Sequence, residues 1–512
     1  MVSEVKILTT WALIVVYVGV VLYFVIRGAK KTQSMKDYAV GNIAFSPVAV
    51  ALSLAASITS AATFIINPGF VAIYGWSAVV AYAIVLPLAA MLSLIIFTKG
   101  FRKFGQSIQA LTMAQWIGTR YQSKYYALFF AFLSLLLLTF IVLICVGITK
   151  VLATSLDANE TYVLLGVVVF IFGYMAFSGA NSMVYTNMIQ ASIMIVVALI
   201  LLTSGYEHFS EGVRGFIGKL EALDTRLTSS LFPESPLFRD YFEVIFCQIV
   251  IGIAVICQPH IITKSLFLKE DKDVNKYLTW GIIVEFLFFS VVFAGLYARL
   301  EFPDLTFQGE KLAMDSIIPT YVVQEFPVIL GLIVVLGLIS AGVSTLEGLI
   351  QSLSTTITSD ILDAHLGKQL FNGPKGEAKK MLTNRIIIGF LGVLAFSFSY
   401  NQLMNPNLSV AIFAQNGVYA YFSAAFVPVL LGTFTQHTPL IAPVGASLTA
   451  VIVHFSVYYG RIGGYMQEAV RNPAIPSTLA ILASLLVGLS LYFIFRGKKQ
   501  TQTATSFKTV NS

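Results

Sequence analysis

Charged side chains are scarce in this 512-residue chain. Asp, Glu, Lys and Arg make up 11% of it, roughly half the share found in soluble globular proteins. That deficit excludes a series of water-soluble domains, and nothing in the chain resembles a nucleic-acid surface. Cysteine is also nearly absent. Cys145, Cys247 and Cys257 all fall in apolar stretches, with neither a pairing motif nor a metal-ligand spacing. They read as small packing residues and say nothing about redox compartment. No nucleophile–base pairing or metal cluster stands out, so no enzyme is expected.

What fills the chain is apolar. Hydrophobic residues make up 57% of it, and mean hydropathy is +0.83. Runs of about 20 residues, the length a helix needs to cross a bilayer, recur from end to end. The reading is an all-α, multi-pass membrane protein with 13 spans, at about 8–27, 47–74, 77–97, 125–152, 161–177, 186–202, 241–257, 278–298, 327–358, 383–400, 408–432, 439–458 and 473–495. Runs this long exclude barrel strands. The first run, at 11–26, ends in a basic cluster without a small-residue cleavage site. It is expected to be a retained span rather than a signal peptide.

The net charge of +7 is first a topology signal. Lysine and arginine cluster in alternate connections: Arg27 to Lys36, Lys99 to Lys124, Lys264 to Lys276, Lys368 to Arg385, and the tail from Arg496. The bias places the N-terminus outside and the C-terminus inside. Two longer loops, 203–240 and 299–326, then lie outside, the first with room for a short surface helix. The tail, 496–512, reads as a short disordered end, too small for a signalling domain. No Arg or Lys is expected deep in a core span.

The irregular spans are the informative ones. Span 2, "VAVALSLAASITSAATFIINPGF", is rich in Ala, Ser and Thr and ends in Asn67-Pro68-Gly69. Span 7, "FCQIVIGIAVICQPHIITK", carries Gln248 and Gly252 and closes on Gln258-Pro259-His260. The two are five spans apart. Interruptions at matching places in two halves point to an inverted-repeat transporter with broken helices, although close packing through small residues also explains span 2.

Six motifs in order resemble the sodium/solute symporter family: "SMKDYAVGN", the Ala-Ser region of span 2, "TMAQWIGTRY" (112–121), "GANSMVYTNMIQ" (179–190), "QPHIITK" (258–264) and "SAGVSTLEGLIQSLSTTITSDIL" (340–362). The agreement covers roughly 34–432. The resemblance implies a leucine-transporter-type fold with 5+5 inverted repeats. Residues 1–46 would be a first helix and inner loop, 47–202 the first repeat (spans 2–6), 203–240 an outer loop, 241–432 the second repeat (spans 7–11), and 433–495 two added spans. It also implies a protein of the cell membrane, embedded in the lipid bilayer and functional as a monomer, that cotransports sodium with a small organic solute by alternating access.

By position, the resemblance implies a sodium site from the backbone carbonyls of Ala56, Thr59 and Ala341 and the hydroxyls of Ser344 and Thr345. Sodium is a hard cation that takes oxygen, as calcium and magnesium do, and a broken helix exposes carbonyls at its negative half-end. Read alone, Ser344 and Thr345 can equally bond back within their own helix. Ser60 and Thr63, a turn beyond, are candidate solute contacts, as are Gln248, Gln415, Asn416 and Tyr419. Each of the last four can also be an interhelical hydrogen bond. The partly positive end of the second half-helix suits a carboxylate.

Three positions depart from the family pattern. Ile58 follows the Ala-Ser pair where the proline-transporting branch has Asp, and Ile251 and Val255 replace that branch's aromatic platform. Asn187 stands where members with a second sodium have Asp. A carboxylate returns instead at Glu347, near the middle of the apolar stretch 326–358, where an unpaired charge is expensive. The i, i+3 spacing puts Glu347 on the face of Ser344. Glu347 and Asn187 then form either a second cation or proton site or a neutral structural pair. Glu285 and His454 read as structural, and His260 as ordering the gate region. A sodium-coupled symporter of small carboxylates or amino acids is the leading reading. The alternatives are a proton-coupled symporter of the same fold and a solute sensor with little transport.

Overall fold

The computed structural model describes residues 2–405 and 410–496. The tail from 497, with its lysines, and the start of the expected span 408–432 lie outside the described residues. The principal helices are α1 (Val2–Ala29), α2 (Pro47–Ile58), α3 (Ala62–Tyr74), α4 (Trp76–Ser107), α5 (Lys124–Leu156), α6 (Glu160–Met175), α7 (Ala180–Thr203), α8 (Phe242–Val255), α9 (Pro259–Phe267), α10 (Asp273–Glu301), α11 (Val328–Gly367), α12 (Gly376–Met404), α13 (Val410–Phe434), α14 (Ile441–Tyr459) and α15 (Ala474–Phe495). Among the described residues, ten helices are long and apolar enough to cross a membrane, and the bent pairs α2/α3 and α8/α9 bring this to twelve. The expected span 161–177 is α6, with 16 residues. The outer loop 203–240 does carry a short helix, Gly212–Leu223.

Each break has its own cause. The side chain of Ser46 caps α2 by accepting from the Ala49 N–H, and Pro47 fills the first helical position. The helix runs to Thr59, whose φ of −84° and ψ of 102° are extended. The chain then bends by 59° into α3. Asn67-Pro68-Gly69 does not mark this break. Pro68 lies inside α3, after a widened turn in which the Asn67 N–H reaches back to the Ala62 carbonyl. At the second break Pro259 disfavours a helical Gln258. Gln258 takes ψ 136°, and α8 and α9 meet at 56°.

Helix α11 is the buried centre. Every residue from Ser340 to Ile350 is buried, and the helix packs on α2, α5 and α7. Helix α10 lies along α2. Gly179 turns the chain from α6 into α7 with φ +130°, and a Cβ there would stand 3.0 Å from the Cα of Tyr38. The corner therefore requires glycine. Beyond it, α6 and α7 each pack against α11.

Candidate cation and solute site

The break after α2 leaves carbonyls facing α11. The Ser344 hydroxyl donates to the Ala56 carbonyl at 2.7 Å and to the Ala341 carbonyl at 3.1 Å. The Thr345 hydroxyl lies 3.1 Å from the Ala341 carbonyl, 3.3 Å from that of Thr59 and 3.4 Å from that of Ala56. All five residues named for sodium thus meet at one point and are buried. The hydroxyls bond back within α11 and also reach across to α2. Three carbonyls and two hydroxyls form an all-oxygen donor set suited to a hard monovalent cation.

Glu347, one turn on, is 0% exposed. Tyr174 on α6 donates to its Oε1 at 2.5 Å, Thr186 on α7 to its Oε2 at 2.7 Å, and Gln190 to Oε1 at 3.5 Å. Asn187 completes the group when its amide is turned so that both ends are satisfied. Its nitrogen then donates to Glu347 Oε2 at 2.8 Å and to Gln190 Oε1 at 3.0 Å, and its oxygen accepts from Lys264 Nζ at 3.3 Å and from Ser53 at 3.2 Å. Lys264 also donates to Ser53 Oγ at 3.0 Å. Lys264 is 1% exposed, which corrects its reading as a charge in an inner loop and the expectation of no deep basic residue. The bend into α9 carries its ammonium into the bundle.

Of the solute candidates, Ser60 is buried and its Oγ accepts from the Ala62 N–H at 3.1 Å, starting α3. Thr63 is buried one turn later. Gln248 is buried, its amide nitrogen 3.5 Å from the Glu243 carbonyl and its Oε1 without a hydrogen-bond partner among the described residues. Gln415 and Tyr419 share a face of α13 near the hydroxyl of Tyr82 on α4. Asn416 does not join them. Its amide donates to the Tyr459 hydroxyl at 3.2 Å and its Oδ1 meets His454 Nε2 at 2.9 Å, both on α14. The sequence contained the reason: Gln415 and Tyr419 are i, i+4, whereas Asn416 is rotated by about 100°.

The sequence profile of the sodium:solute symporter family matches residues 38–439. This chain belongs to the sodium:solute symporter family. It is a sodium-coupled symporter in the plain sense of the family name: a multi-pass membrane protein, not an enzyme, that uses sodium ions to move a small organic solute. It is 27% identical over 489 residues to the sodium/pantothenate symporter of Escherichia coli, covering 93% of this chain and 94% of that one. Sodium-coupled monocarboxylate transporter 2 of Mus musculus is 26% identical over 490 residues, covering 91% and 74%. The solved structure of a Na+-coupled sialic acid symporter superposes with a TM-score of 0.77 at 16% identity, covering 97% and 98%. That likeness, with the leucine-transporter-type neighbours beyond it, establishes the fold.

Sequence reasoning missed four polar partners of this symporter's buried carboxylates. Tyr174, Thr186 and Gln190 lie in or beside the motif around Asn187, but spacing does not say which helix they meet. Thr59 holds the other. Its hydroxyl donates to Oε2 of Glu285 on α10 at 3.1 Å. Glu285 is 0% exposed.

Proposed function

We propose that this symporter takes up a small organic acid together with sodium bound by the carbonyls of Ala56, Thr59 and Ala341 and the hydroxyls of Ser344 and Thr345. The observation that carries the reading is the convergence of those five oxygens where α2 breaks. The substrate class is a carboxylate. Pantothenate and monocarboxylates, named for two relatives, share that group, and the partly positive N-terminal end of α3 beside Ser60 and Thr63 suits it. Gln248, Gln415 and Tyr419 contact the rest of the solute. Asn187 and Glu347 form a second charge position, holding a cation beside the first.

The proposed repeats are 47–202 and 241–432, each containing one bent pair, with 1–46, 203–240, 433–495 and 496–512 as additions. The thirteen-span count, the N-out, C-in orientation and a functional monomer are parts of the same reading, supported by the distribution of lysine and arginine and by the family's usual form.

The test is uptake of labelled pantothenate and of labelled short monocarboxylates into proteoliposomes, in sodium against choline. Sodium-dependent uptake of either acid that is lost in Ser344→Ala supports the reading. Uptake that is indifferent to the Ser344→Ala substitution overturns the cage. Uptake of neutral sugars in preference to acids overturns the substrate class.

A further inference from the structure

The symporter's buried polar ladder runs from Lys264 through Asn187 to Glu347, and its direction is informative. Tyr174, Thr186, Gln190 and Asn187 all present hydrogens to the Glu347 carboxylate. A carboxylate has about four lone-pair sites, and these four donors, two on each oxygen, occupy them and leave none open to a sodium ion. The oxygen of Asn187, which could serve a free cation, already faces the Lys264 ammonium at 3.3 Å. Lys264 has its second contact at Ser53 Oγ, 3.0 Å away, and the Phe267 ring lies 5.4 Å from its Nζ. With Glu347 ionised and Lys264 protonated, the four groups facing Glu347 each have an acceptor, and the ammonium has two, Asn187 Oδ1 and Ser53 Oγ. No other Lys or Arg contacts this cluster among the described residues. A buried carboxylate persists when a cation balances it, and here that cation is covalently part of the chain.

We infer that Lys264 is a built-in cation: its ammonium, bridged by Asn187, fills the second charge position at Glu347 that would otherwise need a free ion. The symporter therefore binds a single sodium ion, at the Ala56–Thr345 cage. This rests on the proposed reading of that cage and specifies what occupies the position beside it.

The experiment is equilibrium binding of radioactive sodium to the purified full-length protein, counted per folded chain. Wild type is expected to bind one ion. Lys264→Met, which leaves Glu347 unbalanced, is expected to bind two, and the double variant Lys264→Met with Glu347→Gln to return to one. A wild-type count of two overturns the inference, as does a folded Lys264→Met protein that still binds one. If Lys264→Met does not fold, thermal stability decides. A double variant that recovers a folded, one-ion protein upholds the pairing, and a double variant no more stable than Lys264→Met overturns it. Ser344→Ala in the wild-type background is the separate control. If it leaves the sodium count unchanged, the cage reading has failed, whatever Lys264 does.

Discussion

Glu285 and Glu347 are both fully buried glutamates at membrane depth, and their surroundings could hardly differ more. Glu347 sits where α6, α7 and α11 meet, with three short donors, one long one and a lysine at one remove. Glu285 accepts one hydrogen bond, from Thr59, and its Oε1 has no hydrogen-bond partner among the described residues. Burial alone therefore does not tell what an intramembrane carboxyl is for; its partners do. The donors around Glu347 suit a carboxylate that accepts on both oxygens. Glu285 is tied to the cage by a single residue, since Thr59 gives its hydroxyl to Glu285 and its carbonyl to the space that Thr345 faces.

The largest effect should come from breaking the saturated site. Glu347→Ala strands three short donors and the Lys264 ammonium, and losing one member of a buried pair costs about 3–5 kcal/mol. The expected result is a large fall in melting temperature and in folded yield. A melting temperature within a few degrees of wild type would show that the ladder does not need its anion.

The next effect is on the cage. Removing both hydroxyls in Ser344→Ala with Thr345→Ala deletes two ligands to a charged group, each worth about 1.5–3 kcal/mol. The sodium concentration for half-maximal stabilisation should rise by at least about tenfold, measured by melting temperature in sodium against choline at constant ionic strength. In choline the double variant should melt somewhat below wild type, because the two hydroxyls also bond the α2 carbonyls; the test is the loss of the further rise that sodium gives.

A smaller change sharpens the contrast from the other side. Thr59→Val keeps the backbone carbonyl and removes the hydroxyl, leaving Glu285 without its partner. The expected cost is about 1–3 kcal/mol of stability. Glu285→Gln, which keeps the shape, should cost less than Glu347→Gln when the two are melted side by side. Equal costs would erase the distinction between the two sites.

The smallest effect belongs to a charge pair outside the bundle. The hydrogen bond from the Arg226 guanidinium holds Asp224 below the usual carboxylate range, so this pair stabilises above the ordinary Asp value of about 3.9 and loses its contribution only as pH falls below it. The site is solvent-facing, where such pairs contribute little. Asp224→Asn should leave the melting temperature unchanged between pH 5 and pH 8.

The sequence carried the helical architecture and the pairing of the two interrupted spans, and the family resemblance named the five residues that converge where α2 breaks. Pro259 marked its break by chemistry. The break at Thr59 had no proline or glycine to mark it, and Asn67-Pro68-Gly69 pointed too far along. What could not be read was direction. Lys264 looked like one more basic residue at a span end, because a one-dimensional pattern does not contain a 56° bend. Tyr174 and Thr186 were visible as hydroxyls, but their shared target depends on how α6 and α7 each pack on α11.

The Asn187 amide has a mechanical consequence. A planar group about two ångströms wide joins α2 through Ser53, α9 through Lys264, and α11 through Glu347. Any rocking that moves α9 relative to α11 must shear this one plate, since its contacts point along different helices. In such a motion it would serve as a shear pin, its hydrogen bonds to the separate helices all depending on the one plate.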